Sequence, residues 1–157
     1  MSYRNSTARI LQNFQKLPAG LWLFSRMVCL KAPYFRTIRP TFLDLRPGYG
    51  RARIRKRWGV TNHIGTVHAI ALANLCEFLA GTLMEISIAS GMRWIPKGMD
   101  IRYLAKATTD VTAVCELERY DWSETQDVPL IVRVYDDREE QVAEATIPMY
   151  VSPRRDG

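Results

Sequence analysis

The length, composition and cysteine pattern of this chain favour a single globular domain. Its 157 residues are enough to bury a hydrophobic core, and the 47% hydrophobic content is ordinary for soluble proteins. Cys29, Cys76 and Cys115 are odd in number and far apart, which argues against a disulfide framework or a CxxC zinc site. We therefore expect reduced thiols, a cytoplasmic location, and neither a metal nor another cofactor.

The net charge of +6 conceals a strong asymmetry along the chain. Residues 1–60 hold 13 Lys or Arg residues and one acidic residue, Asp44, whereas the remainder holds 9 basic and 15 acidic residues. Such a split is typical of proteins that bind nucleic acid, a membrane surface or an anionic small molecule, but it also arises when basic and acidic strands pair within one fold. We expect no nucleic-acid binding, because few stacking aromatic residues accompany the basic ones.

The N-terminal region predicts two amphipathic helices. Ser6–Leu17 has apolar residues at helical spacing behind Ser6 or Thr7 as a cap, and Leu21–Leu30 follows a Pro-Ala-Gly interruption. Residues 1–37 therefore form a helical arm that we expect to cover one side of the core. Contact with a membrane surface is the minor alternative for this arm.

Two short strands follow the arm and predict a hairpin. Ile38–Leu45 and Gly50–Trp58 flank a Pro47-Gly48 turn. Strict alternation in the second strand places four arginines on one face, and these cannot be buried without partners. We expect that face to be solvated or paired with acidic residues of a neighbouring strand, with phosphate binding as the alternative. The four residues are Arg51, Arg53, Arg55 and Arg57.

A long apolar helix is predicted from about Thr66 to Ser90, with Gly91 as its terminator. It carries Glu77 and Glu85, so we do not expect it to cross a membrane. Four period-two segments come after it and predict strands: Trp94–Leu104, Thr109–Tyr120, Pro129–Asp136 and Gln141–Val151. This order indicates an α+β fold, with the helix packed on one largely antiparallel sheet.

These features resemble the hotdog fold, in which a curved antiparallel sheet wraps a long central helix. Three segments carry the resemblance: Asn62 followed six residues later by His68, Glu77 nine residues beyond His68, and the segment Lys97–Ala107 with the pattern D-x-x-Y-L-x-x-A. They are similar to acyl-CoA thioesterases of the phenylacetyl-CoA type, within a poorly characterised branch of that superfamily. The implied division is the arm at 1–37 and a hotdog domain at 38–157, forming one domain overall.

The resemblance implies a role for several residues. Glu77 would act as a general base or nucleophile, Asn62 would position water or substrate, and His68 would hydrogen-bond near the thioester. Gly65 and Ala69 would contact the substrate, with the Ala69 N–H binding the developing oxyanion. Candidates to hold the phosphates of coenzyme A are Arg102, Lys106 and the four-arginine face.

The resemblance also implies an assembly. His68 and Glu77 project from opposite sides of one helix and do not easily form one site within a subunit. In hotdog proteins the site forms across a subunit interface, so the resemblance implies a homodimer or homotetramer in which Asn62 and Glu77 act from different chains. From periodicity alone, however, Glu77 could belong to a solvated or dimer-forming polar stripe, and Asn62 could be a helix-capping residue. The stripe comprises Asn74, Glu77, Gly81 and Glu85.

Two departures from the family pattern raise a second function. The helix begins His68-Ala69-Ile70 where these enzymes usually have His-Gly-Gly, and Ile95 stands near the position of a downstream hydroxyl residue. Ala69 can still donate its N–H, but its methyl group narrows the space for close approach. The alternative to a thioesterase is therefore a non-catalytic protein that binds acyl-CoA.

Overall fold

The computed structural model describes residues 5–118 and 120–154, and its first two elements are the helices of the arm. They are α1 (Ser6–Gln15) and α2 (Gly20–Lys31). The N-cap of α1 is Asn5 rather than the predicted Ser6 or Thr7, because its Oδ1 accepts the Ala8 N–H at 2.8 Å. A side chain at Gly20 would lie 1.8 Å from the Phe14 carbonyl oxygen, so glycine permits the sharp turn between the helices.

A seven-stranded antiparallel sheet forms the other layer of the fold. Its spatial order is β1-β2-β5-β6-β7-β3. Strand β4 pairs with the same edge of β7 as β3 does, at residues 143–146, whereas β3 pairs with residues 149–153. The strands are β1 (Thr41–Arg46), β2 (Tyr49–Ile54), β3 (Met92–Pro96), β4 (Asp100–Tyr103), β5 (Val111–Glu116), β6 (Gln126–Asp136) and β7 (Gln141–Pro153). The predicted hairpin around Pro47-Gly48 is confirmed as β1–β2.

The predicted strand Trp94–Leu104 is wrong as a single element. It is divided into β3 and β4 by Lys97-Gly98-Met99, and both halves pair with the long strand β7. Pro96 lacks a backbone N–H and limits continued pairing, while Gly98 is free of side-chain constraints. The interruption creates a short loop at the sheet edge that becomes part of the candidate site.

Helix α3 (Ala69–Ser87) is the central element, shorter at both ends than predicted. By length and composition alone it could cross a membrane, but 67% of its apolar stretch is buried inside the fold. It packs on the inner face of the sheet, where the Phe78 ring stacks on Phe42 with centroids 4.5 Å apart. The predicted α+β class, with a long helix against a curved antiparallel sheet, is confirmed.

The helical arm belongs to the same hydrophobic core. Ala8 and Leu11 of α1 and Phe24 of α2 are fully buried within the cluster that contains the apolar residues of α3 and the sheet. Asn5 Nδ2 also donates to the carbonyl oxygens of Glu85 and Ile88, at 2.7 and 2.8 Å. One amide thus caps the start of α1 and the end of α3, which holds the arm against the core.

Only two residues of the predicted four-arginine face, Arg51 and Arg53, lie on strand β2. Strand β2 ends at Ile54, so Arg55 and Arg57 lie beyond the strand and do not continue its alternation, contrary to prediction. Arg53 pairs with Asp110 at 2.9 Å and with Asp137 at 2.8 Å. An acidic residue of a neighbouring strand was predicted as the partner, and Arg53 instead pairs with Asp110, which directly precedes the neighbouring β5, and with Asp137, which directly follows β6.

Candidate functional site

Asn62 folds the loop that leads into α3. Its Oδ1 accepts the backbone N–H groups of Ile64 and Thr66, at 3.2 and 3.1 Å, and its Nδ2 donates to Thr66 Oγ1 at 2.9 Å. Gly65 lies in this loop with φ of 76°, a conformation that favours glycine. In the single protomer both residues shape the backbone of the loop, and the half-buried Asn62 remains close to the start of α3.

His68 is the N-cap of α3. Its Nδ1 accepts the Ile70 N–H at 3.0 Å, so the neutral imidazole carries its proton on Nε2. The His68 backbone N–H donates to the Val60 carbonyl at 2.8 Å, which fixes the loop where the helix begins. The side chain is exposed, which leaves Nε2–H free to donate to a ligand.

The first turn of α3 presents two backbone donors. The N–H groups of Ala69 and Ala71 have no acceptor among residues 5–118 and 120–154, whereas that of Leu72 donates to the His68 carbonyl. Such groups point along the helix axis and carry the partial positive charge of the helix dipole. They can stabilise an oxyanion formed beside them. Ala69 was predicted from the sequence, while Ala71 follows only from the observed bounds of the helix.

Glu77 is the exposed carboxylate of α3. It lines a groove of about 250 Å³ together with the loop Pro96–Met99 and Ile147 of β7. The other members of its polar stripe are covered: Asn74 by Thr37, Gly81 by the Trp94 ring, and Glu85 by its bonds to Thr7 and Trp94. The stripe is thus not a solvated face, and Glu77 is its exposed member, beside the loop that follows β3.

One protomer does not bring Glu77 to the start of α3. The helix is continuous from Ala69 to Ser87, so nine residues separate His68 from Glu77 by about 13 Å along the axis and by half a turn around it. A carboxylate side chain cannot cover that distance. The two groups can act on the same carbonyl group only if another protomer supplies one of them.

The two predicted phosphate-binding residues lie in different places. Arg102 is on β4 and bonds Glu144 at 2.5 Å; this hydrogen bond is the main cause that holds the Glu144 pKa below its ordinary value. Its neighbour Tyr103 faces α3, so Arg102 points to the outer face of the sheet. Lys106, in contrast, precedes Ala107, whose carbonyl accepts the Val67 N–H at 2.9 Å. Lys106 therefore lies beside the start of α3.

Tyr103 is a site residue that the sequence interpretation did not single out. Its hydroxyl donates to the Ala69 carbonyl at 3.2 Å, and burial is the main cause that raises its pKa. It is the tyrosine of the D-x-x-Y segment, two residues after the inward-facing Ile101. Period-two alternation from Ile101 could have assigned Tyr103 to the helix-facing side of β4.

Comparison with known proteins gives one family and several similar structures. Residues 20–151 match the family described as "Domain of unknown function (DUF4442)". The crystal structure of the structural-genomics target APC5556 is 46% identical, with a TM-score of 0.83, and covers 94% of this chain and 99% of that one. No protein of curated function matches.

Two further structures are more distant. The Pseudomonas aeruginosa protein PA5026, described as a protein of unknown function and "Probable Thioesterase", is 25% identical with a TM-score of 0.76, over 88% of this chain and 97% of that one. A "Hypothetical Thioesterase Protein" of Streptococcus pneumoniae was crystallised with coenzyme A. It is 19% identical with a TM-score of 0.62, over 74% of this chain and 88% of that one, and is similar in fold alone.

Proposed function

Because the chain belongs to the DUF4442 family and has the hotdog fold, we propose that it is an acyl-CoA thioesterase with a site shared between two protomers. The observation that carries the proposal is that the candidate oxyanion donors and the candidate catalytic carboxylate lie at separate positions along α3. Two N–H groups without an acceptor in the described part of the chain lie at its start, and an exposed carboxylate lies in a groove about 13 Å away.

Each group has a defined role in the proposed hydrolysis. Glu77 takes a proton from water as the water oxygen attacks the thioester carbonyl carbon, and the Ala69 and Ala71 N–H groups bind the resulting oxyanion. The C–S bond then breaks, the thiolate of coenzyme A leaves and takes up a proton, and the acid is released. Direct attack by Glu77, with an anhydride intermediate, is the other route open to a carboxylate.

Residues at the start of α3 complete the proposed site. Asn62 and Gly65 shape the loop that the thioester would approach, and the His68 Nε2–H can donate to the substrate. Lys106 is placed to attract the phosphates of coenzyme A. Arg102 is already bonded to Glu144 on the outer face, so we assign it no contact with substrate in its own protomer.

The edge formed by β3 and β4 is the surface through which we propose that two protomers pair. Among the described residues both strands have β7 as a neighbour on one side only. Large apolar side chains are exposed along this edge and at the nearby start of α3: Ile70, Ile95, Tyr103 and Leu104. Antiparallel pairing would continue the sheet and bring Glu77 of one protomer towards Ala69 of its partner.

Substitution of Ala69 tests the oxyanion role. Proline is favoured at the first helical position and follows an extended residue such as His68, so Ala69→Pro removes the N–H while keeping the helix. We expect kcat with an acyl-CoA panel to fall by about 10²–10³. Ala69→Gly, which keeps the N–H, serves as the control and retains activity. Equal rates for Ala69→Pro and the wild type would contradict the assignment.

Substitution of Glu77 tests the carboxylate. We expect Glu77→Gln to lose about 10²–10⁴ in rate, and Glu116→Gln, at an exposed carboxylate on β5, to keep the wild-type rate. If Glu77→Gln hydrolyses every acyl-CoA as fast as the wild type, the thioesterase mechanism proposed here is wrong.

Mixing inactive variants tests the shared site. In a symmetric dimer, refolding Glu77→Gln together with Ala69→Pro creates hybrids in which one of two sites has both groups intact. Activity should recover to about a quarter of the wild-type value, because half of the dimers are hybrids. No recovery would place both groups in a site within one protomer, or outside the site altogether.

A non-catalytic acyl-CoA-binding protein is the second candidate. It is favoured by the Ala69-Ile70 pair at the helix start. It is also favoured by Ile95, which offers no hydroxyl group and lines a second groove, beside Arg93 and Tyr150. Calorimetry with a non-hydrolysable acyl-CoA distinguishes the candidates. Tight binding without hydrolysis supports this second function, and absence of binding contradicts both.

A further inference from the structure

One end of the molecule carries positive charges that no acidic side chain neutralises. It lies where α2 finishes and α3 begins. Six cationic residues in this region form no ion pair with the described residues, although Arg53, Arg102 and Arg133 are all paired elsewhere on the sheet. The six, which we call the basic end, are Lys31, Arg36, Arg39, Arg55, Lys56 and Arg57.

Two segments of the chain are held together to form the basic end. Arg57 Nη2 donates to the Thr37 carbonyl at 2.7 Å, which fixes the turn Trp58–Val60 against the 3-10 helix Pro33–Thr37. Burial is the main cause that lowers the Arg57 pKa, and the nearby positive charge of Arg39 lowers it further. The fold therefore concentrates positive charge here rather than dispersing it.

Two acidic groups beside the segment Arg55–Arg57 are already engaged. Asp110 accepts the Lys56 backbone N–H at 2.8 Å and pairs with Arg53. Asp137 pairs with the same guanidinium. Neither carboxylate is left to neutralise the side chains of the basic end, so the surface presents its charge to an external partner.

Large apolar side chains protrude among these cations. Trp58 is 93% exposed, Leu30 71% and Tyr34 68%. Trp58 directly follows Arg55–Arg57 in sequence, Leu30 precedes Lys31 at the end of α2, and Tyr34 lies in the 3-10 helix beside Arg36. Exposure of such apolar surface to water costs free energy, which a partner that covers the side chains would recover. Tryptophan and tyrosine in particular favour the boundary between polar headgroups and acyl chains.

We propose that the basic end docks this protein on an anionic lipid bilayer. The cations would contact headgroup phosphates, and Leu30, Tyr34 and Trp58 would enter the boundary of the acyl chains. The exposed side chains include the aliphatic Leu30 beside two aromatic residues. This mixture favours a bilayer over single-stranded nucleic acid, whose bases are bound by stacking on aromatic rings. Because the Val60 carbonyl accepts the His68 N–H, the docked surface adjoins the start of α3.

Flotation with vesicles tests the proposal. The wild-type protein should bind vesicles of phosphatidylcholine plus phosphatidylglycerol, bind pure phosphatidylcholine more weakly, and dissociate as salt is raised. The double variant Arg36→Glu/Lys56→Glu should bind the anionic vesicles at least about tenfold more weakly. Trp58→Ala, which leaves the charge unchanged, should also weaken binding.

A charge-matched variant at the opposite end is the control. Arg9→Glu/Lys16→Glu makes the same change in net charge on and just after α1, whose cap Asn5 contacts the far end of α3. It should bind as the wild type does. The proposal is overturned if the wild type does not bind anionic vesicles, if the control loses as much as the basic-end variant, or if the protein prefers single-stranded RNA to vesicles. Hydrolysis plays no part in the readout, so failure of the thioesterase proposal would be seen separately.

Discussion

Trp94 of β3 is hydrogen-bonded to Glu85 of α3, with the indole Nε1 donating to Oε2 at 2.7 Å. The other carboxylate oxygen accepts from Thr7 Oγ1 at 3.1 Å, so one side chain connects α1, α3 and the sheet edge. The Trp94 ring also covers Gly81 on the same side of the helix. Together with Thr37, which covers Asn74, these contacts leave Glu77 as the exposed member of the polar stripe of α3.

Removing the Glu85 carboxylate should destabilise the fold. Glu85→Ala leaves the half-buried Trp94 Nε1–H and Thr7 hydroxyl without their acceptor, and hydrogen bonds to charged groups contribute about 1.5–3 kcal/mol each. We expect a loss of about 2–3 kcal/mol in the free energy of unfolding, measured with urea, which is less than the sum of the two bonds because both are only part-buried and water can replace part of the lost acceptor. The control is Glu77→Ala on the same helix. Its exposed carboxylate has no partner within the described chain, so its stability should change by less than about 0.5 kcal/mol.

The effect of alanine at Gly81 on stability should differ between two backgrounds. A Cβ there would lie 3.0 Å from Trp94 Cη2, so Gly81→Ala should displace the indole and weaken its bond to Glu85. In the wild type we expect little change or a loss of stability. In a Trp94→Ala background the same change should stabilise by about 1 kcal/mol, the helix-propensity gain of alanine over glycine. Urea unfolding of the wild type, the two single variants and the double variant completes a double-mutant cycle. Identical effects of Gly81→Ala in both backgrounds would show that Trp94 does not constrain Gly81.

Asn5 should contribute more than an ordinary N-cap. Asn5→Ala removes the acceptor for Ala8 N–H and the donors to the Glu85 and Ile88 carbonyls at the end of α3. We expect a loss of about 2–3 kcal/mol, against about 1 kcal/mol for a cap alone. Asn5→Ser retains a capping oxygen but cannot reach both carbonyls, so it should fall between. If Asn5→Ala costs no more than about 1 kcal/mol, the bridge to α3 contributes nothing.

Local patterns predicted the main elements because each has a regular period. The apolar run after Thr66 predicted α3, and alternation predicted the first hairpin and the last strands. The break at Lys97-Gly98-Met99 was missed although Trp94 and Ile101, which both pack against the core, are seven residues apart, a separation that puts two residues of one continuous strand on opposite faces. The bridge from Asn5 to α3 was missed because its acceptors are at least 80 residues away along the chain, although the bond that caps α1 is local.

The candidate site was predictable only in part. The spacing of Asn62, His68 and Glu77 placed them on a loop and one helix, and the continuous α3 keeps the last two apart as expected. Nothing local distinguished Glu77 from Glu85, since both are isolated carboxylates on the same stripe. Their difference in exposure comes from Trp94 and Thr7, which fold back from distant segments. The cross-chain arrangement of Glu77 and Asn62 stays a prediction.

The buried cysteines should make stability fall at alkaline pH. Burial is the largest cause that raises the pKa of both Cys76 and Cys115, from 9.0 to about 12. The thiols ionise first in the unfolded chain, so their contribution is fully present below about pH 9 and is lost as pH rises towards about 12. We expect the free energy of unfolding to decline over this range. In Cys76→Ala/Cys115→Ala the decline should be shallower, although the cavities lower the value at pH 8. Urea unfolding at several pH values measures both slopes, with tyrosine and lysine titration common to the two proteins. Parallel slopes would mean that the two thiols ionise as readily in the folded protein as in the unfolded chain.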